Sequence, residues 1–241
     1  MIKKKFSMHV LSFIFKLLCT LIIASVVGVF VWRIFASQNP KSMKRLIANE
    51  KLCQAYAAND GDLTLFKQDF DSITRADHNS GYFSITSAVF IDEADQVQVV
   101  LRYNNSTLKH IKEDYSLSNV PDRDTDIVDV TLIVVYDETP DDKTDNSDTS
   151  ETIRRVRYYA SGEPVADKKN IYNYRKFVFD GIDTDKSVIA VYADFYYKED
   201  INYEKEPYGS LRIYHAEAAN KDVSLKRADK KNIEAWLEEN K

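Results

Sequence analysis

The sequence predicts an all-β soluble domain, a β-sandwich of immunoglobulin-like architecture, behind a single N-terminal transmembrane helix, with a juxtamembrane helix and a short C-terminal helix at its flanks. Three observations predict it. An uncharged stretch near the N-terminus is long enough to cross a bilayer. Beyond residue 60 the apolar residues recur with period two. The composition, with 15 Tyr and 12 Phe against six Gly and five Pro, favours strands over low-complexity chain. A chain of 241 residues that is 44% hydrophobic fits one domain plus an appendage. The expected division is 1–37 for a cytoplasmic tail and anchor, 38–60 for the juxtamembrane helix, and 61–241 for the sandwich with its terminal helix.

The anchor comes first. Between Lys16 and Arg33 runs LLCTLIIASVVGVFVW, and the apolar character extends outward on both sides, so residues 8–36 are the expected contact with a lipid bilayer. Lys16 and Arg33 are placed to snorkel, and Trp32 to sit at interface depth. The run is longer than the apolar core of a secretory signal and ends without a small-residue cleavage site, which favours a retained signal-anchor. Residues around Cys19 do not form a lipoprotein motif. Basic residues are nearly balanced across the span, but a short tail opening with Lys3, Lys4 and Lys5 favours a cytoplasmic N-terminus, with the C-terminal domain outside the cell membrane in type II orientation.

Charge narrows the partners. Residues 1–40 hold five of the 33 Lys and Arg and none of the 38 Asp and Glu, so the rest of the chain carries 28 against 38, near −10. An acidic domain repels phosphate backbones, and no nucleic-acid partner is expected. Lys41, Lys44 and Arg45 form a basic exception beside the span, suited to lipid headgroups. Cys53 is the single cysteine of the soluble part, so no disulfide is expected within it, and a small buried hydrophobe is the expected role, with an intermolecular disulfide or a reactive thiol as alternatives.

The elements follow in order. Ser42 is an expected cap, and Met43, Leu46, Ile47, Cys53 and Ala57 recur at helical spacing up to the stop at Asn59-Asp60-Gly61. Leu63 and Leu65 open a short strand. GYFSITSAVFI is expected to place Phe83, Ile85, Val89 and Ile91 on one side, and QVQVVLRYNN to place Val97, Val99, Leu101 and Tyr103 together. Further strands are expected to bury Val128, Val130, Leu132, Val134 and Tyr136, then to run through IRRVRYYA, to bury Phe177 and Phe179, to pass through SVIAVYADFYY, and to bury Leu211 and Ile213. That makes about eight strands without long intervening helices, the pattern of an antiparallel sandwich, although the paired cysteines around a Trp that mark antibody domains are missing. In the tail, Asp229 is the expected cap of a helix with Ile233, Trp236 and Leu237 on one stripe.

Several stretches could carry chemistry. Asp92-Glu93-Ala94-Asp95 matches the acidic signature of DEAD-box helicases, but the glycines begin no phosphate-binding loop, and four short polar residues between two strands read as a hairpin turn. Asp122, Asp124 and Asp126 are weak candidates for a calcium site; Ile127 and Ile133 stand where an EF-hand needs its Gly and Glu. The Asp-rich run 137–151 reads as a solvated loop. His78, His110 and His215 fall in no paired metal or catalytic spacing, and no catalytic residue and no cofactor is expected. Strand tyrosines, Tyr196, Tyr208 and Tyr214 among them, could form an aromatic ligand face for a glycan or peptide. The expected function is a non-catalytic, single-pass, extracytoplasmic binding or structural module of the cell envelope that meets another envelope protein or a glycan. The alternatives are an envelope hydrolase acting on polysaccharide or peptide, and an oligomeric membrane scaffold.

Overall fold

The computed structural model describes residues 2–68, 83–122, 127–138, 153–183, 187–216 and 220–240. The chain divides into two compact units, residues 1–38 and 39–241.

The first unit is a helix, α1 (Ile2–Ser37). Its segment Val10–Trp32 has a mean hydropathy of 2.5 and is long and apolar enough to span a membrane. At about 1.5 Å per residue those 23 residues cover the roughly 30 Å of a hydrocarbon core. Two of the hydroxyl side chains in it return their protons to the helix itself: Thr20 Oγ1 donates to Lys16 O at 2.9 Å and Ser25 Oγ to Leu21 O at 2.8 Å.

The second unit is mostly β. In chain order it contains α2 (Lys41–Lys44), α3 (Glu50–Ala58), β1 (Leu65–Gln68), β2 (Ser84–Ile91), β3 (Gln96–Asn104), α4 (Asn105–Asp114), β4 (Val128–Asp137), β5 (Ile153–Tyr159), β6 (Val165–Lys169), β7 (Tyr172–Asp180), β8 (Ser187–Tyr197), β9 (Gly209–His215), β10 (Asn220–Asp222) and α5 (Arg227–Glu239). The strands form two antiparallel sheets, one in the order β10-β1-β2-β3-β7-β6 and one in the order β5-β4-β8-β9.

The main core draws side chains from both sheets. Val97, Val99, Leu101 and Tyr103 of β3 and Phe177 and Phe179 of β7 are buried in one cluster with Val128, Val130, Leu132, Val134 and Tyr136 of β4, and with Leu211 and Ile213 of β9. Each fully buried side chain of this size contributes about 2 kcal/mol of transfer free energy. A second cluster lies on α3, α5 and their surroundings, including Leu52, Cys53, Ile91 and Ile233, with Trp236 and Leu237 half-buried against it.

β2 departs from the expected alternation. The strand pairs Ile85 with Leu101 and then Ser87 with Val100, so Thr86 is a β-bulge. One extra residue exchanges the two faces beyond it. Phe83, Ala88 and Phe90 therefore enter the main core with Ile85 packed against it, whereas Val89 and Ile91 belong to the cluster on the opposite side. At the end of β2, Asp92–Ala94 make a short 3-10 turn and Asp95 closes it in the left-handed region at φ 46. The acidic stretch is thus a hairpin turn. Glu93 also holds the chain before β1, its two carboxylate oxygens accepting the Thr64 N–H at 2.9 and 2.8 Å. Burial, followed by the charges of Glu93 and Asp95, pushes the Asp92 carboxyl above its ordinary pKa.

Three helical expectations change. The juxtamembrane helix is broken into α2 and α3, with residues 45–49 extended between them, and Asn49 rather than Ser42 caps the longer piece by accepting from Leu52 N at 3.0 Å. α4 is an additional helix, opened by a capping box in which Asn104 accepts from Ser106 N and Thr107 N while Thr107 Oγ1 accepts from Asn104 N. Asp229 is not the cap of α5. Lys226 holds that position, and Asp229, inside the first turn, is buried and accepts the Leu46 N–H instead.

Candidate binding cleft

β3 is buried on both sides. Its core-facing residues alternate with Gln96, Gln98 and Val100, which face the opposite way and are 1%, 0% and 1% exposed. Polar side chains so deeply buried need partners, and the extended strap 45–49 supplies them. Gln98 Oε1 accepts the Ile47 N–H at 2.9 Å, and Gln98 Nε2 donates back to Ile47 O at 2.9 Å. Gln98 Nε2 also donates to Gln96 Oε1 at 2.7 Å, and Gln96 Nε2 donates to Asp180 Oδ1 at 2.7 Å and to Asn49 Oδ1 at 3.0 Å.

The neighbouring strap residues are held in the same manner. Leu46 N donates to Asp229 Oδ1 at 2.8 Å, and Leu46 O accepts from Asn232 Nδ2 at 3.2 Å. Lys176 of β7 donates its ammonium to Arg45 O. Four side chains therefore satisfy five backbone groups of residues 45–47, which is why this stretch is extended although its apolar spacing is helical. Lys176 is only 3% exposed. Burial lowers its pKa to about 8, Asp229 opposes that fall, and Lys226 adds to it.

Beside the strap lies a cleft of about 480 Å³, walled by Met43, Lys44 and Leu46 and by residues from 223–229, with β1 and β2 as its floor. Its volume falls in the range of small-molecule sites, roughly 300–1,000 Å³. The Thr86 bulge shapes the floor, because it turns Ser87 and Val89 toward the cleft rather than the main core. Lys44 and Lys226 both belong to the lining, and Asp229 is the one carboxylate among its described residues. The α5 N-terminus, which has no side-chain cap, ends at the same wall.

A smaller cavity of about 160 Å³ is lined by Asp129, Glu163, Lys198 and Tyr203 among others. Tyr203 donates its hydroxyl to Asp129, and Lys198 lies 3.9 Å from Glu163. Burial and then Asp129 push the Tyr203 phenol well above its ordinary value.

The residues singled out by sequence are placed as follows. Tyr208 belongs to the main core, where its hydroxyl donates to Asp114 Oδ2 at 2.6 Å, and Tyr214 packs half-buried against that core, 5.4 Å from the Phe90 ring. Tyr196 is 4% exposed, with the Tyr203 ring 5.1 Å away, and falls between Phe195 and Tyr197 of β8, both of which point into the core. The three rings are not brought onto one exposed face. Asp122 is exposed; Asp124 and Asp126 lie outside the described residues, as do His78 and most of the run 137–151. Among the described residues no group of three His, Cys, Asp or Glu could hold a metal ion. Cys53 is fully buried, and burial pushes its thiol up to about 11.

Sequence reading noted Lys44 as part of a basic cluster but passed over Lys226, Ser87 and Lys176. The signal for Lys176 was present: a lysine directly before the apolar run Phe177-Val178-Phe179 of a strand is costly unless something covers it. Compared with known proteins, the chain matches no family model, no curated protein and no solved structure.

Proposed function

We propose that the chain is a single-pass, membrane-anchored binding module of the cell envelope, with residues 38–241 outside the cell and no catalytic activity of its own. The cleft between the strap and α5 is its ligand site. The two sheets are read as the layers of a β-sandwich that serves as scaffold, supported by a main core that takes side chains from both.

The cleft carries the reading. Its floor and walls offer apolar surface from Met43, Leu65, Val89 and Val223, while among the described lining residues Lys44 and Lys226 add two ammonium groups against the carboxylate of Asp229. On a domain whose charge is near −10, this local excess selects a small ligand that has an apolar part and carries negative charge. Hydrolysis of a glycosidic bond calls for two carboxylates across the site. Asp229 is the one carboxylate among the described lining residues and already accepts a backbone N–H, which favours binding over catalysis.

The test uses the full chain in nanodiscs of neutral lipid. Calorimetric titration with hexanoate, a small anionic amphiphile, is expected to give saturable binding that Ser87→Trp abolishes by filling the cleft. Binding of no anionic amphiphile to the wild-type chain, or equal binding to the blocked variant, overturns the cleft as the ligand site. Protease treatment of intact cells tests the orientation: digestion of residues 38–241 supports it, and protection overturns it.

A further inference from the structure

We infer that the ligand of the cleft is a phosphate monoester carried on an apolar stem, the shared chemistry of phosphatidic acid and lipid-linked monophosphates; this rests on the reading of the cleft as the binding site. A carboxylate has two oxygens and one charge. A phosphate monoester has three acceptor oxygens and a charge between about −1.5 and −2 near neutral pH. The donors around the cleft outnumber what a carboxylate would use. Lys44 comes from the strap side and Lys226 from the α5 side, and both side chains are exposed at the rim rather than spent in the interior. Ser87 and Ser224 add hydroxyls to the same lining. Two cations and two hydroxyls in one cleft match a compact multi-oxygen anion that accepts from several donors at once.

Asp229 does not cancel this arrangement. Its Oδ1 accepts from Leu46 N, it is 4% exposed, and it lies within the field of the buried Lys176 ammonium. The lysines at the rim are left to the ligand. The apolar residues of floor and walls then receive the first carbons of the stem. Lys41, Lys44 and Arg45 follow the apolar span closely in sequence, the placement that juxtamembrane basic clusters use for anionic headgroups.

The experiment titrates the full chain in phosphatidylcholine nanodiscs with hexyl phosphate, hexanoate and inorganic phosphate by calorimetry. Hexyl phosphate is expected to bind at least tenfold more tightly than hexanoate and than inorganic phosphate. Lys44→Gln and Lys226→Gln are each expected to weaken hexyl phosphate about tenfold, the equivalent of about 1.4 kcal/mol for a lost charge-assisted contact. Both side chains are exposed, so the variants keep the fold, and Lys231→Gln, an exposed α5 lysine outside the lining, serves as control for net charge and is expected to leave binding unchanged. Hexanoate binding as tightly as hexyl phosphate overturns the phosphate assignment while leaving the cleft as a binding site. Inorganic phosphate binding as tightly as hexyl phosphate overturns the apolar stem and points to a soluble phosphate. Loss of binding by Lys231→Gln equal to that of the rim variants overturns the assignment of Lys44 and Lys226. No binding of any probe overturns both the inference and the site.

Discussion

Gln98 and Ile47 are joined by two hydrogen bonds of 2.9 Å, the side-chain amide of one accepting from and donating to the backbone of the other. The amide takes the place of a neighbouring strand. Through it, and through Asp229, Asn232 and Lys176, residues 45–47 are stitched to β3, α5 and β7 without belonging to any sheet. The strap forms one wall of the cleft, so the pairing that fixes its path also sets the cleft's width.

Gln98→Leu is therefore expected to destabilise the β-rich unit by about 3 kcal/mol, since two partly buried backbone groups lose their partners at about 1–3 kcal/mol each. For a unit of this size that is a fall in Tm of about 6–12 °C. Gln98→Glu keeps the acceptor for Ile47 N but has no donor for Ile47 O and places a charge in a fully buried position, and is expected to cost at least as much. Thermal unfolding of the full chain in detergent, followed by circular dichroism, measures both. A Gln98→Leu chain as stable as wild type would show that the strap is held by other means.

Lys176 gives stability a dependence on pH. Its folded pKa lies at about 8 against an ordinary 10.5, so between these values the unfolded chain holds a proton that the folded chain has released. The unfolded state binds more protons there, and stability rises with pH across the window, by at most about 3.5 kcal/mol at roughly 1.4 kcal/mol per unit. Cys53, pushed up to about 11, and Tyr197, pushed up to about 12, act in the opposite sense, because their folded forms keep protons that the unfolded chain loses above pH 9 and 10. The wild-type chain is compared with Lys176→Met from pH 7 to pH 10 by denaturant unfolding. The variant is expected to lack the rise, and equal slopes in both chains would remove Lys176 as its source.

Much of the fold was legible in the chain, and the misses share a cause. Where a strand presents one face to the core, period-two alternation identified its buried residues, as in β4 from Val128 to Tyr136. Where long-range partners decide, local pattern failed. Thr86 carries no mark of a bulge, yet the register it shifts moves Val89 and Ile91 off the main core. Residues 45–49 have helical spacing but are drawn out by side chains more than 50 positions away in sequence. α4 was overlooked because its polar residues hid the pair Leu108 and Ile111, although Asn104 and Thr107 spell its capping box. The cleft was least legible of all, since its two lysines are separated by most of the chain.

The end of α4 offers a stabilising change. Leu117 N donates to Lys112 O at 2.9 Å and Ser116 N to Glu113 O at 3.2 Å, the paired bonds of a Schellman motif, and Ser116 occupies its left-handed position at φ 51. A side chain there costs roughly 1 kcal/mol that glycine avoids. Ser116→Gly is expected to raise stability by about that amount, and Ser116→Val, β-branched at the same dihedral, to lower it. Equilibrium unfolding in urea checks the pair, and a destabilised glycine variant would contradict the assigned geometry.

Cys53 is expected to be chemically silent in the folded protein. Its side chain is 0% exposed, among Leu52, Tyr56 and Ile233 in the cluster between α3 and α5, and burial holds the thiol at about 11, so little thiolate exists near neutral pH and none is within reach of a reagent. In a Cys19→Ser background, a maleimide should label Cys53 only as fast as this part of the unit opens, and labelling should become complete in denaturant. The same burial predicts that the Cys19→Ser chain, left in air, migrates as a single chain on a non-reducing gel. Stoichiometric labelling of the native protein within minutes, or an oxidised dimer lost on Cys53→Ala, would mean that α3 and α5 part readily, and the strap wall of the cleft would then be mobile.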